Sequence, residues 1–234
     1  MSGVIVRRST VLASGIVAAV CGLAANAGEP AQLPSDPDPR RFEADFRVFD
    51  SWDGQNAVPC DPIVFVGSSS IRMWPTAESF PNLPIINRGF GGSHISDVNH
   101  YVDRAVLTYR PRIVVFYAGD NDIADGKSPD RVLRDFQEFV HAVHRRRPDA
   151  KIVYLPIKPS RLRWAKWPQM RAANELIEEF IRHDERLSYV DTATLLLAPD
   201  GRPNPAYFLE DGLHLNAAGY EIWSKALGPV LSTP

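Results

Sequence analysis

The chain has 234 residues, with 26 basic against 28 acidic residues, 44% hydrophobic residues and two cysteines. A formal net charge of −2 gives no electrostatic reason to expect a nucleic-acid partner. Two cysteines exclude a disulfide framework and a four-thiolate metal site. The composition is that of a packed globular chain, and the length favours a single domain.

The first 27 residues predict an export signal. Arg7 and Arg8 precede an uncharged, mostly small and apolar run over residues 11–25, and Ala25-Asn26-Ala27 offers the small residues that a signal peptidase reads. The run is shorter than the roughly 20 apolar residues of a membrane-spanning helix. We therefore expect a periplasmic or secreted protein with no stable membrane anchor. A twin-arginine signal at the arginine pair and a lipid anchor at Cys21 stay as minor alternatives.

Removal of this signal leaves 207 residues, a net charge of −4 and one thiol, Cys60. No histidine is near Cys60 in sequence, so a packed or inert thiol is favoured over a nucleophile. Residues 28–40 hold four prolines and predict an extended, proline-rich leader. The folded domain is therefore expected to span residues 41–234.

Beyond the leader, stretches with the hydrophobic pattern of buried strands alternate with stretches that have the spacing of amphipathic helices. Short β-branched and aromatic runs predict five strands, at residues 63–67, 84–88, 112–118, 151–156 and 187–191. Helical spacing predicts helices at 95–106, at 129–143 after a Ser128 cap, at 170–181, and at 217–227 after an Asn216 cap, with Pro229 ending the last one. Alternating strands and helices favour one doubly wound α/β domain whose parallel sheet is covered on both faces.

Small and polar residues follow several of these predicted strands. The segments are Gly67-Ser68-Ser69-Ser70 after the first strand, Gly89-Phe90-Gly91-Gly92 after the second, Gly119-Asp120-Asn121-Asp122 after the third, and Asp211-Gly212-Leu213-His214 before the last helix. Each alone is ordinary turn chemistry. Because ligands bind beyond the carboxyl ends of the strands in open parallel sheets, the four together indicate a site.

These residue types fit acyl transfer. A serine hydroxyl needs a base to take its proton, and histidine is the usual base near neutral pH. Asp211 and His214 are three residues apart, so the carboxylate can orient the imidazole locally. The backbone N–H of Gly92 and the side-chain amide of Asn121 are candidate donors to a developing oxyanion.

At this point the sequence resembles the SGNH hydrolases, the GDSL-type esterases and lipases, over roughly residues 60–228. The resemblance implies a three-layer α/β/α sandwich with a five-stranded parallel sheet of flavodoxin-like type. It also implies that Ser69 is the nucleophile, His214 the base and Asp211 the orienting carboxylate. The implied oxyanion donors are the N–H groups of Ser69 and Gly92 and the side chain of Asn121.

One position departs from the family pattern. The first block of the family reads Gly-Asp-Ser, whereas Ser68 stands here where the aspartate is expected. The result is three consecutive serines, which leaves Ser70 as a secondary candidate for the nucleophile. The Gly-Ser-Ser-Ser block resembles a bacterial branch of the family.

The function that the resemblance implies is serine-dependent hydrolysis of a carboxylic ester, acyl or acetyl, in a small molecule or a glycan. No cofactor is expected. No metal is expected either, because His141 and His144 are one helical turn apart without further ligands and are typical of a solvated helix face. Two alternatives stay open: a lysophospholipase or thioesterase activity, and a carbohydrate-binding protein on the same fold with weak or lost catalysis.

Basic and aromatic residues near the site allow two interpretations. Arg72 and Trp74 follow the serines, and the fourth strand is followed by Lys158, Arg161, Arg163, Trp164 and Trp167. They either line the mouth of the site and bind a sugar or an anionic group, or form a solvated loop with aromatic rings on the core.

Overall fold

The computed structural model describes residues 35–232. Its single sheet has five strands, all parallel, in the order β2-β1-β3-β4-β5. The strands are β1 (Ile63–Gly67), β2 (Ile85–Gly89), β3 (Ile113–Tyr117), β4 (Lys151–Tyr154) and β5 (Leu187–Tyr189). The predicted five-stranded parallel sheet is confirmed, and each predicted strand lies within a few residues of the observed one.

Nine α-helices connect and cover the strands in this part of the chain. They are α1 (Glu43–Asp53), α2 (Ser69–Arg72), α3 (Thr76–Ser79), α4 (Ile95–His100), α5 (Val102–Ala105), α6 (Asp120–Ala124), α7 (Pro129–Arg146), α8 (Trp167–Ile181) and α9 (Ala217–Leu231). As predicted, the Ser128 and Asn216 side chains cap α7 and α9, accepting from the backbone N–H of Arg131 and Gly219.

Alternate residues of the strands face two separate hydrophobic cores. Val64, Val66, Val114 and Phe116 pack with residues of α1, α4, α5, α7 and α8, whereas Ile63, Phe65, Val115 and Tyr117 pack with residues of α2 and α9. Every residue of β1 and β3 is buried, as expected of parallel strands covered on both faces. The three-layer α/β/α sandwich is therefore confirmed, with the 2-1-3-4-5 strand order of flavodoxin-like folds.

Two helix predictions were wrong. The helix expected at 95–106 is interrupted at Tyr101, whose ring stacks on Phe46 of α1 with centroids 3.9 Å apart. The sequence did not predict α1. Packing of Tyr101 against this helix accounts for the break between α4 and α5. Pro229 lies inside α9 instead of ending it. One lost N–H donor is tolerated there because Leu227 and Leu231 are fully buried and hold the last turn on the sheet.

The export signal and most of the leader lie outside the described residues. From residue 35 the chain runs without regular structure to a 3₁₀ turn at Pro39–Phe42. Asp36 forms ion pairs with Lys127 at 2.7 Å and with Arg131 at 2.5 Å, so the end of the leader contacts the folded domain. Within residues 35–232, no helix is long and apolar enough to cross a membrane. Cys60 is exposed, which corrects the packed half of the expectation of a packed or inert thiol.

Gly67 fixes the contact between β1 and β3 at the end of the sheet. Its φ is +137°, and a Cβ added there would lie 1.8 Å from the Tyr117 carbonyl oxygen. The next residue, Ser68, donates its N–H to the same carbonyl at 3.0 Å. Only glycine permits this close approach, which sets where the chain leaves β1.

We predict that Gly67→Ala destabilises the fold more than Gly201→Ala does. Gly201 also has a positive φ, +76°, but no heavy atom lies within 4 Å of the Cβ position. Gly201→Ala should therefore lower the free energy of unfolding only by the cost of a left-handed backbone at a non-glycine residue, about 1–2 kcal/mol. Gly67→Ala adds the displacement of a backbone carbonyl. Denaturant unfolding of both variants checks this, and equal losses of unfolding free energy would contradict the steric account.

Candidate active site

The strand-end segments meet at the carboxyl edge of the sheet, at the junction of β1, β2 and β3. Hydrogen bonds join them: Ser68 N–H donates to Tyr117 O at 3.0 Å, and Phe90 N–H donates to Gly67 O at 2.9 Å. The order 2-1-3-4-5 reverses between β1 and β3, which is the usual position of a ligand site in such sheets. Ser69, at the start of α2, stands at this junction.

Ser69, His214 and Asp211 form a hydrogen-bonded chain. The Ser69 Oγ lies 3.0 Å from His214 Nε2, and His214 Nδ1 lies 2.6 Å from Asp211 Oδ2. An ionised carboxylate can only accept, so Nδ1 carries the imidazole proton and Nε2 accepts from the serine hydroxyl. This arrangement lets the imidazole remove the proton of Ser69.

Asp211 is held in its charged form. Burial opposes the charge, but hydrogen bonds from the His214 ring and from the backbone N–H groups of Leu213 and His214 outweigh it and lower the pKa of Asp211 to about 2. The two backbone bonds, at 2.8 and 2.9 Å, also close the turn that carries both side chains. The carboxylate therefore remains available to His214 throughout the neutral range.

Three candidate hydrogen-bond donors lie on the segments that meet at this edge of the sheet. Ser69 is the first residue of its helix, so its N–H has no acceptor within the helix. Gly92 has a φ of +83° in the turn after β2, and in the described part of the chain its N–H donates to no protein acceptor. The Nδ2 of Asn121 donates to Ser93 O at 3.0 Å, which leaves its second hydrogen free.

A buried ion cluster lies beneath these groups. Lys158, 1% exposed, places its Nζ 3.0 Å from Ser70 Oγ, 3.1 Å from the Tyr117 hydroxyl and 3.5 Å from Asp120 Oδ2. Arg163 Nη1 lies 3.2 Å from the same carboxylate oxygen. Lys158 follows β4 and Asp120 follows the neighbouring β3, so adjacency of strand ends was the sequence signal for this pair.

The charges in this cluster depend on one another. Burial lowers the pKa of Lys158, and the nearby Asp120 carboxylate opposes that shift. Burial works against the charged Asp120, but Lys158 and Arg163 more than compensate and hold the pKa of Asp120 below its ordinary value. Loss of either cation would leave a buried carboxylate poorly compensated.

The serine cluster is divided among three environments. Ser69 alone reaches the imidazole, whereas Ser70 is fully buried and its hydroxyl accepts from Lys158. Ser68, which replaces the aspartate of the family pattern, is also buried and has its Oγ 3.5 Å from Asp120 Oδ1. A carboxylate is therefore present behind the serines, but Asp120, the first residue of α6 after β3, supplies it.

Two of the candidate substrate-binding residues lie in the interior. Trp74 is 3% exposed and packs against Phe65, Tyr220 and Trp223. Lys158 is occupied by the ion cluster described above. Their burial corrects the expectation that either side chain lines the mouth of the site, because neither is accessible to a ligand at the surface.

Three further candidates, Arg72, Arg161 and Trp164, lie nearer the surface. The exposed Arg72 guanidinium packs against Gly91, since a Cβ there would lie 2.9 Å from its Cζ. Exposed Arg161 packs on Gly212, between Asp211 and His214, where a Cβ would lie 3.1 Å from the arginine Cβ. Half-buried Trp164 stacks on Trp167 with centroids 6.2 Å apart.

A second buried lysine holds the segment that follows Asn121. Lys127 Nζ contacts Asp122 at 2.8 Å, Asp135 at 3.0 Å and Asp36 at 2.7 Å. Asp122 also accepts the backbone N–H of Ile95 at 3.2 Å. These contacts tie α6, α4 and α7 together, although no motif in the sequence identified Lys127 as their centre. Residues 35–232 contain no group of three or more His, Cys, Asp or Glu side chains suited to a metal ion.

Comparison with known proteins shows which family this chain resembles in sequence. A family model, the GDSL-like lipase/acylhydrolase family, matches residues 72–222, which is more than half of the chain. The match begins three residues after Ser69 and includes Gly92, Asn121, Asp211 and His214. The chain is also 27% identical over 179 residues to platelet-activating factor acetylhydrolase IB subunit alpha1 from Bos taurus and from Homo sapiens, covering 72% of this chain and 74% of each relative.

Solved structures share the fold. A GDSL-like lipase from Bacteroides thetaiotaomicron matches with a TM-score of 0.70 at 19% identity, covering 80% of this chain and 97% of that chain. A catalytic mutant of an acetylxylan esterase from Geobacillus stearothermophilus gives a TM-score of 0.63 at 14% identity, covering 76% and 97%. On the strength of the family match, the chain belongs to the GDSL-like lipase/acylhydrolase family and is a hydrolase that acts on ester bonds.

Proposed function

We propose that this protein is a serine esterase that removes a short acyl group, acetyl above all, from an alcohol. The observation that carries the proposal is the hydrogen-bonded chain from Ser69 through His214 to Asp211, with contacts of 3.0 and 2.6 Å. N–H donors without a protein acceptor among the described residues, on the segments that meet at the same edge of the sheet, fit the second requirement of acyl transfer.

In the first half of the reaction, Ser69 Oγ attacks the ester carbonyl carbon while His214 Nε2 takes the hydroxyl proton. The carbonyl π electrons move to oxygen and form a tetrahedral oxyanion. Collapse of this intermediate breaks the bond to the alcohol oxygen, which receives the proton from His214. Asp211 stabilises the imidazolium between these two transfers.

In the second half, water attacks the acyl-serine. His214 takes a proton from the water, a second tetrahedral oxyanion forms, and its collapse breaks the bond to Ser69 Oγ. The serine oxygen recovers its proton from His214, and the carboxylic acid leaves. In both halves, the N–H groups of Ser69 and Gly92 and the amide of Asn121 donate to the oxyanion.

The short acyl group is supported by the names of similar proteins. The curated relatives are acetylhydrolases, and one structural neighbour is an acetylxylan esterase. The exposed Arg72 and Arg161 flank the segments that carry the proposed catalytic residues and are the side chains that we propose to contact the alcohol part of the substrate. The pattern of residues 1–27 supports action outside the cytoplasm.

The nucleophile is tested by covalent labelling. We predict that a fluorophosphonate probe labels the wild-type protein and Ser70→Ala but not Ser69→Ala. Ser69 is the serine within hydrogen-bond distance of His214, whereas Ser70 is buried against Lys158. Gel fluorescence gives the result. Labelling of Ser69→Ala, or its retention of wild-type p-nitrophenyl acetate hydrolysis, would refute the assignment.

Asp211→Asn is predicted to lower kcat/KM by about 10³–10⁴-fold, because an amide no longer fixes the imidazole tautomer or its charge. Asp200→Asn is the matched control, since Asp200 also accepts a backbone N–H in an exposed turn, at 3.0 Å, but contacts no histidine. Steady-state hydrolysis of p-nitrophenyl acetate by the two variants tests the role. Equal activities would contradict it.

Asp211→Asn also tests how the stability of the fold depends on pH. The pKa of Asp211 is lowered from 3.8 to about 2 on folding, so its interactions favour the folded state above pH 4 and are lost as the pH falls toward 2. Asp211→Asn should therefore lose less stability than wild type over that interval. Denaturant unfolding at several pH values measures the difference, which should be small because the side chain is 44% exposed.

Acyl specificity is tested with p-nitrophenyl acetate, butyrate and octanoate. The proposal predicts that kcat/KM is highest for acetate and falls as the acyl chain lengthens. A maximum at octanoate would instead favour a lipase or lysophospholipase activity. Saturable binding of a glycan without hydrolysis of any of these esters would indicate a binding protein on this fold.

A further inference from the structure

The amide of Asn121 is fixed at both of its polar atoms. Its Nδ2 donates to Ser93 O at 3.0 Å, and its Oδ1 accepts from Arg163 Nη2 at 2.9 Å. A rotation by 180° would place the amide NH₂ against the guanidinium and its oxygen against a carbonyl. The amide therefore has one favourable orientation, with its second N–H left unpaired.

Arg163 is itself held in place by Asp120, the residue before Asn121. Its Nη1 lies 3.2 Å from Asp120 Oδ2, and Asp120 Oδ1 accepts the backbone N–H of Asn121 at 3.1 Å. Arg163, Asp120 and Asn121 thus form a closed ring of interactions. The Arg163 backbone N–H also donates to Ser160 Oγ at 3.2 Å, and its side chain is only 19% exposed.

The planar guanidinium is well suited to this position. It presents several N–H groups in a fixed fork, so one side chain can contact a carboxylate and an amide oxygen together, whereas a lysine ammonium offers a single compact charge. Donation from a cation to Oδ1 also polarises the amide and strengthens its remaining N–H as a donor.

We propose that Arg163 is a positioning residue that orients and polarises the Asn121 amide for oxyanion stabilisation, with Asp120 holding the guanidinium in place. This inference rests on the proposed esterase function. Arg163 acts through Asn121 rather than on the substrate, because its Nη2 donates to Asn121 Oδ1 and its Nη1, buried and without a hydrogen-bond partner in residues 35–232, is ion-paired with Asp120. Loss of Arg163 should therefore lower kcat, and only when Asn121 is present.

A double-mutant cycle tests this dependence on p-nitrophenyl acetate. Asn121→Ala removes a donor and should lower kcat by about 10²–10³-fold. Arg163→Ala should lower kcat by about 10-fold with KM changed less than about twofold, since the lost interaction acts only in the transition state. The double variant should match Asn121→Ala within about threefold, because Arg163 has nothing left to orient. Arg163→Lys should fall between wild type and Arg163→Ala.

Arg171→Ala is the control, since it removes an arginine that is 68% exposed and pairs with Glu175 on α8, and its kcat should equal that of wild type. Thermal unfolding of every variant identifies losses that come from folding. A multiplicative loss in the double variant, or a rise in KM without a fall in kcat for Arg163→Ala and Arg163→Lys, would overturn the inference. If instead Asn121→Ala and Ser69→Ala retain full activity, the proposed function itself fails.

Discussion

The close approach of β1 to β3 at the carboxyl edge of the sheet is the constraint on which the site depends. A residue without a side chain at position 67 allows the Tyr117 carbonyl to lie where a Cβ would be, and the N–H of Ser68 then bonds to that carbonyl. This contact decides where the chain leaves β1, and α2 starts immediately afterwards with Ser69. Because Phe90 N–H bonds to Gly67 O, the turn that carries Gly92 is aligned to the same point. Two of the three proposed oxyanion donors are thus backbone groups on segments that leave the sheet next to these strand-end contacts.

The site also depends on a cluster of buried charged side chains beneath the junction of β1, β2 and β3. Asp120 is buried directly behind the serines, and Lys158 and Arg163 stabilise its charge. The same ions bind groups that matter for catalysis: Lys158 holds the hydroxyl of Ser70, and Arg163 holds the oxygen of Asn121. A polar network of this kind, with its members hydrogen-bonded, rigidifies a site. The absence of an aspartate at position 68 therefore does not leave the nucleophile without a nearby carboxylate.

The sequence was sufficient to predict the sheet and the residues that meet at its edge, because both depend on local patterns. The strand at 63–67 is a continuous apolar run ended by glycine, and the Asp211–His214 contact is made within one turn. Ser69 and His214, 145 residues apart, could be paired only through the resemblance to a known family, and distant partners outside its motifs could not be assigned from the sequence. Nothing near Trp74 distinguishes a core tryptophan from a ligand-binding one, and its burial depends on α9, some 150 residues later. The contact between Arg163 and Asn121 likewise joins segments 42 residues apart.

As the proposed nucleophile, Ser69 carries the acyl group between the two halves of the reaction. Mass spectrometry of the enzyme, quenched in acid during turnover of p-nitrophenyl acetate and then digested, tests this role most directly. We expect one acetyl group on the peptide that contains residues 67–72, located on Ser69 by fragmentation. An acetyl group on any other residue, or rapid turnover with no acetylated enzyme and no burst of p-nitrophenol, would contradict it.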